Sequence, residues 1–175
     1  MTSLDVATHL PRLRRYARLV CRNAADADDL VQETLVKAIA RAELFRAGSD
    51  LRVWLFATLH DIFVSRARAD ARRQRLTALG GDAECGRSET TQEVRVELER
   101  TLAALAQLPD EQRQIILLVS VEGMTTDEAA TVLELPVGTV RSRLARGRDA
   151  LRRLSRRRTP VPALRVVGAP DVRSD

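Results

Sequence analysis

The stretch EGMTTDEAATVLELPVGTVRSRLARGRDAL, residues 122–151, has the pattern of a helix, a short turn and a second helix. Gly123 can end a preceding helix. Thr125 can cap the next helix, with Glu128 three residues on, which is the spacing of a capping box. Small apolar residues then allow close helix packing, and Pro136 suits the start of a new helix. The stretch therefore predicts a helix-turn-helix.

The second helix of this motif, predicted over residues 137–154, divides into two faces. Apolar residues and one glycine recur at three- and four-residue spacing, which predicts a buried face. They are Val137, Val140, Leu144, Gly147, Leu151 and Leu154. The opposite face carries what a major-groove reader needs: guanidinium groups, a small hydroxyl and an alanine for close approach. It is formed by Thr139, Arg141, Ser142, Ala145, Arg146 and Asp149.

The competing interpretation is an amphipathic helix whose arginines only complement the helix dipole. The capped helix and short turn before it favour the DNA-reading interpretation. The arginine-rich run at 152–158 lies past the reading face, and we assign it to non-specific phosphate attraction or to solubility.

The charge of the chain points to an anionic partner and to more than one kind of contact. The 175 residues carry a net charge of +5, which favours nucleic acid. Acidic residues gather at 26–33 and basic residues at 66–75, so we expect partners of both signs.

The remaining composition excludes several classes of protein. Cys21 and Cys85 stand alone, so neither a disulfide framework nor a zinc site is expected. The apolar run at 115–121 is too short to cross a bilayer, and the first residues lack a secretory signal. We expect a cytoplasmic protein without membrane insertion. No catalytic dyad, phosphate loop or metal cluster is visible, which predicts a non-enzyme without cofactors.

Helical periodicity runs through most of the chain and predicts an all-α protein of two small helical domains. Helices are expected near 5–22, 26–42, 51–74, 93–107, 110–121, 126–133 and 137–154, with a loop at 45–50. The apolar stripe of the second helix is predicted as Leu30, Val31, Leu35, Ala38 and Ile39. The predicted domains are residues 1–75 and 93–158, with a flexible linker at 76–92 and a disordered tail at 159–175.

The two halves together resemble a known family. Residues 108–151 resemble region 4 of sigma factors, the initiation subunits of bacterial RNA polymerase, and residues 26–73 resemble region 2. The DADDLVQET and PVGTVRSRL motifs carry the match. The acidic first region and the third domain of housekeeping sigma factors have no counterpart here, which is similar to the extracytoplasmic-function (ECF) group. Residues 51–64, LRVWLFATLHDIFV, look closest to the general-stress-response branch.

The resemblance implies roles for individual residues. The DLVQE surface would dock on the clamp of the polymerase largest subunit through Asp29, Gln32, Glu33 and Val36. The helix-turn-helix would read the promoter −35 element through Pro136, Gly138, Thr139, Arg141, Ser142 and Arg146, with Arg146 as the best candidate for a base contact.

The loop at 45–50 and the helix after it would melt and read the −10 element. The implied contacts are Phe45, Arg46, Thr58, His60 and Asp61, whereas Trp54 and Phe56 are interpreted mainly as core. Asp61 stands where many relatives carry Asn. An ionised carboxylate cannot donate a hydrogen bond and repels phosphate, so the preferred −10 base stays open.

The sequence therefore predicts a sigma factor that binds core RNA polymerase and promoter DNA and is restrained by an anti-sigma factor. Two alternatives are open. One is a sigma-like decoy that sequesters an anti-sigma factor, although no receiver domain is visible and the reading arginines are retained. The other is a stand-alone helix-turn-helix regulator, which would leave the match at 26–61 unexplained.

Overall fold

The computed structural model describes residues 5–21, 23–46, 48–76 and 92–157. In these residues the regular structure is helical throughout, as the sequence predicts. The α-helices are α1 Leu10–Val20, α2 Ala24–Ala40, α3 Leu51–Leu76, α4 Gln92–Ala106, α5 Asp110–Ile116, α6 Thr126–Leu133 and α7 Val137–Arg157. A short 3₁₀ turn at Ala7–His9 precedes α1, and another at Ala42–Leu44 follows α2.

Two predicted helices differ from the structure at their ends. The first is a 3₁₀ turn followed by α1, and Pro11 lies in the first turn of α1, where a missing N–H costs nothing. The predicted helix at 110–121 is α-helical only to Ile116 and then widens into a π-helical turn at Leu117–Val121. Its hydrogen bond from Glu122 N to Leu117 O, 2.9 Å, spans five residues.

The predicted linker and tail lie largely outside the described residues. Of the linker at 76–92, only the two end residues are described, and both belong to helices: Leu76 ends α3 and Gln92 begins α4. The tail at 159–175 lies wholly outside them.

The helix-turn-helix forms as its local signals predict. Thr125 Oγ1 accepts a hydrogen bond from Glu128 N at 3.1 Å, and Glu128 Oε2 accepts one from Thr125 N at 2.7 Å, which completes the capping box. Gly123 takes the left-handed conformation, with φ +69°, where the preceding turn ends. Glu134 ends α6 in the same left-handed region.

The apolar stripe of α2 is only partly as predicted. Leu30, Val31 and Ala38 are buried, but Ile39 is 69% exposed, so its prediction as a core residue is wrong. Thr34 occupies the middle of the buried stripe instead, because its hydroxyl donates to Leu30 O at 2.7 Å and leaves no polar group unpaired.

The two halves of the described chain, residues 5–76 and 92–157, share one buried apolar cluster. In the first half, the Tyr16 and Phe56 rings meet edge to face, with centroids 5.3 Å apart. Between the halves, α6 packs along α3, and α5 packs against α1. The first helix of the helix-turn-helix therefore lies directly on the helix predicted to read the −10 element.

Candidate nucleic-acid and polymerase interfaces

The exposed face of α7 carries the residues predicted to read DNA. Arg141, Ser142 and Arg146 are exposed and Thr139 is half-buried, whereas Val140 and Leu144 point into the core. The face is loosely held: Arg146 Nε donates to Ser142 O at 3.4 Å, and Arg141 Nη2 lies 3.9 Å from an Asp127 carboxylate oxygen. Both arginines can therefore turn toward a groove without breaking a strong contact.

Two glycines on α7 have opposite surroundings. A Cβ at Gly147 would lie 2.9 Å from Ile116 Cδ1 and 3.2 Å from Gln112 Cβ, so Gly147 lets α7 approach α5 closely. A Cβ at Gly138 would meet no atom within 4 Å. Pro136 and Gly138 are both exposed at the start of the helix, beside the reading face.

Arg143 points the other way from its neighbours on α7. Its side chain is mostly buried and its Nη2 lies 3.0 Å from Glu111 Oε2 on α5. Arg143 therefore braces α7 against α5, which the arginine-rich sequence of α7 does not predict.

The residues predicted for the −10 element do not form one open pocket. Phe45 is half-buried and its ring packs against Trp54, with centroids 5.5 Å apart, while Arg46 is exposed beside it. Thr58 is 9% exposed and its hydroxyl donates to Trp54 O at 2.9 Å. In this arrangement the Thr58 hydroxyl is used inside the protein.

His60 and Asp61 lie further along α3. Burial lowers the pKa of His60, and the nearby carboxylates of Asp61 and Glu134 partly offset that effect. Asp61 is exposed, with Oδ2 3.9 Å from Lys37 Nζ on α2. Because Glu134 ends α6, its influence on His60 again places the helix-turn-helix over α3. Of the two predicted core aromatics, Phe56 is fully buried and Trp54 half-buried.

The predicted polymerase-docking residues lie on one exposed face of α2. Asp29, Gln32, Glu33 and Val36 are all exposed, and Val36 is 67% exposed despite being apolar. Glu33 Oε2 accepts hydrogen bonds from Arg66 Nη2 and Nε on α3, at 2.6 and 3.0 Å. The exposed Ile39 extends this face, so it combines carboxylates with an apolar end.

A cavity of about 560 Å³ lies between α1, α2, α3 and α5, where the two halves meet. Its lining combines charged residues with apolar ones that include Leu30 and Phe63. The charged lining residues are Asp26, Arg66, Asp70, Arg73, Asp110 and Arg113.

Four residues join the halves through contacts that the sequence did not predict: Arg15, Arg52, Glu122 and Glu128. Arg15 bonds Glu122 and Arg52 bonds Glu128, across separations of 107 and 76 positions. Only one sequence signal pointed to them, which is that Glu122 follows an apolar run.

Comparison with known proteins gives matches to both halves in order. The family model for the sigma2 domain of PhyR matches residues 6–60, and the model for sigma-70 region 4 matches residues 98–151. The ECF RNA polymerase sigma factor EcfG of Rhodopseudomonas palustris (strain TIE-1) is 40% identical over 147 residues, 84% of this chain and 81% of EcfG. SigC of Mycobacterium tuberculosis (strain CDC 1551 / Oshkosh), another ECF sigma factor, is 35% identical over 74% of this chain and 70% of its own.

A solved structure resembles the whole arrangement. The sigma factor RpoE from Bartonella quintana, in co-crystals with the anti-sigma factor NepR, superposes with a TM-score of 0.79 at 32% identity. The match covers 89% of this chain and 96% of RpoE. No helix in the described part of the chain is long and apolar enough to cross a membrane.

Proposed function

Because the chain belongs to the ECF sigma factors of RNA polymerase, we propose that it docks on core polymerase through α2 and reads promoters through α3 and α7. It performs no chemical step itself and acts in the cytoplasm. The observation that carries this proposal is the pairing of two exposed faces of opposite character: a basic one on α7 and an acidic one on α2.

For the −35 element, the proposed reader is the α7 face. Arg146 contacts a base edge and Arg141 contacts a phosphate or a base, because both guanidinium groups are exposed on a helix that follows a short turn. Pro136, Gly138, Thr139 and Ser142 set the approach to the groove, since they surround the first turn of α7.

For the −10 element, the proposed contacts are Phe45 and Arg46 in the loop, and His60 and Asp61 on α3. An aromatic ring beside an arginine suits an unstacked base and its phosphate. The Thr58 hydroxyl is bonded to Trp54 O in the same helix, so a hydrogen bond from Thr58 to a base requires that bond to break.

For core polymerase, the proposed docking residues are Asp29, Gln32, Glu33 and Val36, on the clamp of the largest subunit. Carboxylates there complement a basic partner surface, and the exposed Val36 supplies apolar contact. We further propose a protein restraint of the kind seen for RpoE, whose solved structure holds an anti-sigma factor. The mixed-charge cavity between the halves offers such a partner contacts with both.

A titration of labelled protein with core polymerase tests the docking face. The double substitution D29R/V36R should weaken binding at least ten-fold, because it reverses one charge and places a second positive charge on the apolar end, opposite a basic partner surface. The matched control is Asp28→Arg, an exposed neighbour on α2 outside the docking set. Equal binding of both variants and the wild type would exclude this face.

A second candidate function is a decoy for an anti-sigma factor. It is favoured by one observation, that the family model matching residues 6–60 is the sigma2 domain of PhyR. A decoy would bind the anti-sigma factor but give no promoter-specific transcript with core polymerase, so transcription separates the two functions.

A further inference from the structure

Two ion pairs join the halves of the chain. Arg15 on α1 donates to Glu122 Oε1 from Nη2 at 2.8 Å and from Nε at 3.1 Å. Arg52, in the first turn of α3, donates to Glu128 Oε1 on α6 at 2.9 Å and to Glu122 O at 3.3 Å. Both acidic partners belong to the helix-turn-helix or to the turn that leads into it.

The pair with Glu122 is buried on one side and incompletely satisfied. The Glu122 side chain is fully enclosed, whereas the Arg15 side chain is half exposed. No donor among the described residues reaches Glu122 Oε2, and the buried Tyr16 hydroxyl also lacks a partner among them. A buried carboxylate with one free oxygen is tolerated only while its arginine stays in place. The ion pair therefore holds the halves together, but the Glu122 carboxylate regains its hydration when the halves separate.

These ion pairs hold α6 against α3, the helix that carries the candidate −10 contact His60. His60 is half-buried near the Glu134 carboxylate at the end of α6. With the end of α6 beside it, His60 is less accessible to a DNA strand.

The spacing of promoter elements makes the same point. Elements centred at −35 and −10 lie about 25 base pairs apart, or roughly 85 Å along B-DNA. A compact chain of 175 residues has a radius of gyration of only about 16 Å. Two halves in direct contact cannot read both elements on one duplex.

We infer that Arg15–Glu122 and Arg52–Glu128 form a latch that holds the chain in a closed, self-inhibited state, and that promoter engagement requires both pairs to break. The effect of the latch on promoter engagement rests on the proposed function, whereas the latch itself is tested by distance measurements alone.

The direct test measures the distance between the halves by double electron–electron resonance. Spin labels are attached at Ala25→Cys on α2 and Ala106→Cys on α4, both exposed, with Cys21 and Cys85 replaced by alanine. The test variant is E122Q/E128Q, which removes both charges without changing side-chain size. The amide oxygen that E128Q introduces can still accept the capping-box bond from Thr125 N, so α6 keeps its cap.

The wild type should give one short, narrow distance without polymerase, and E122Q/E128Q should give a broad, longer distribution. The control D28N/E43Q makes the same change in net charge at two exposed positions of the first half, and it should match the wild type. R15Q/R52Q breaks the same pairs from the other side and should open the chain as well. Far-UV circular dichroism confirms that each variant stays helical.

Transcription gives the second readout. Opening the latch should lower the sigma concentration needed for half-maximal run-off transcription by about ten-fold, because the competent state is more populated. If helical E122Q/E128Q and R15Q/R52Q keep the wild-type distance, or if the wild type is already open, the latch is wrong, whatever the transcription result. If the distances change as expected but no variant, including the wild type, supports transcription, the latch stands and the proposed function fails.

Discussion

Arg15 and Glu122 lie 107 positions apart in the chain and meet through two hydrogen bonds, of 2.8 and 3.1 Å, to a single carboxylate oxygen. Removing the arginine leaves a buried charge without its partner. Because the Arg15 side chain is half exposed, solvent reaches the site and lowers the free-energy cost of the unpaired carboxylate. We expect Arg15→Ala to destabilise the fold by about 2 kcal/mol.

Urea unfolding measures that loss. The matched control is Arg14→Ala, an exposed arginine on the same helix, which should change stability by less than about 0.5 kcal/mol. Equal stability of the two variants would show that the pair with Glu122 contributes nothing.

His60 should make the fold less stable in mild acid. Burial lowers its pKa, so below about pH 6.5 the unfolded chain takes up a proton that the folded chain resists. The unfolded state then binds more protons, and stability falls as the pH falls from that value toward the lowered pKa of the folded state. We expect urea midpoints to drop between pH 7.5 and 5.5, and the drop to be smaller in His60→Gln. A drop of the same size in both proteins would remove His60 as its source.

Alanine substitutions at the two glycines of α7 should have opposite effects on the stability of the fold. At Gly147 the added methyl group would collide with Ile116 and press on Gln112, and we expect a loss of about 1–2 kcal/mol despite the better helix propensity of alanine. At Gly138 the space is open, so stability should be unchanged or higher by up to about 1 kcal/mol. Thermal unfolding of the pair checks this, and a stabilised Gly147→Ala would contradict the close approach of α7 to α5.

Local signals were enough to predict the helix-turn-helix. The capping box at Thr125 and Glu128 and the turn before Pro136 are encoded within a few residues, so they could be found in the sequence. Ile39 was assigned wrongly because hydrophobicity alone ranks it above Thr34, whereas the structure buries Thr34 by bonding its hydroxyl to the helix backbone.

The packing of the two halves could not be predicted in the same way. The contacts of Arg15 and Arg52 join residues 107 and 76 positions apart, and no periodicity reports such pairs. The same holds for the packing of α6 along α3, which no local pattern in either helix reports. Residue types and faces were therefore predictable, but which faces meet was not.

Alanine substitutions at Arg146 and Arg143 should have different effects on promoter recognition, because only Arg146 lies on the DNA-reading face. Both are arginines on α7, but Arg146 is exposed and Arg143 pairs with Glu111. We expect Arg146→Ala to weaken binding to the preferred −35 element by about 1–3 kcal/mol and to relax specificity at one base position. Arg143→Ala should leave the base preference unchanged. Promoter-library selection with reconstituted holoenzyme measures both, and a shifted preference in Arg143→Ala alone would reverse the assignment of the faces.

Run-off transcription with purified core polymerase and a genomic promoter library tests the sigma-factor account most directly. The wild-type protein, without any inhibitor, should yield discrete transcripts from promoters that share −35 and −10 elements, and Arg146→Ala should lose them selectively. No promoter-specific transcript from the wild-type protein under these conditions would contradict the account.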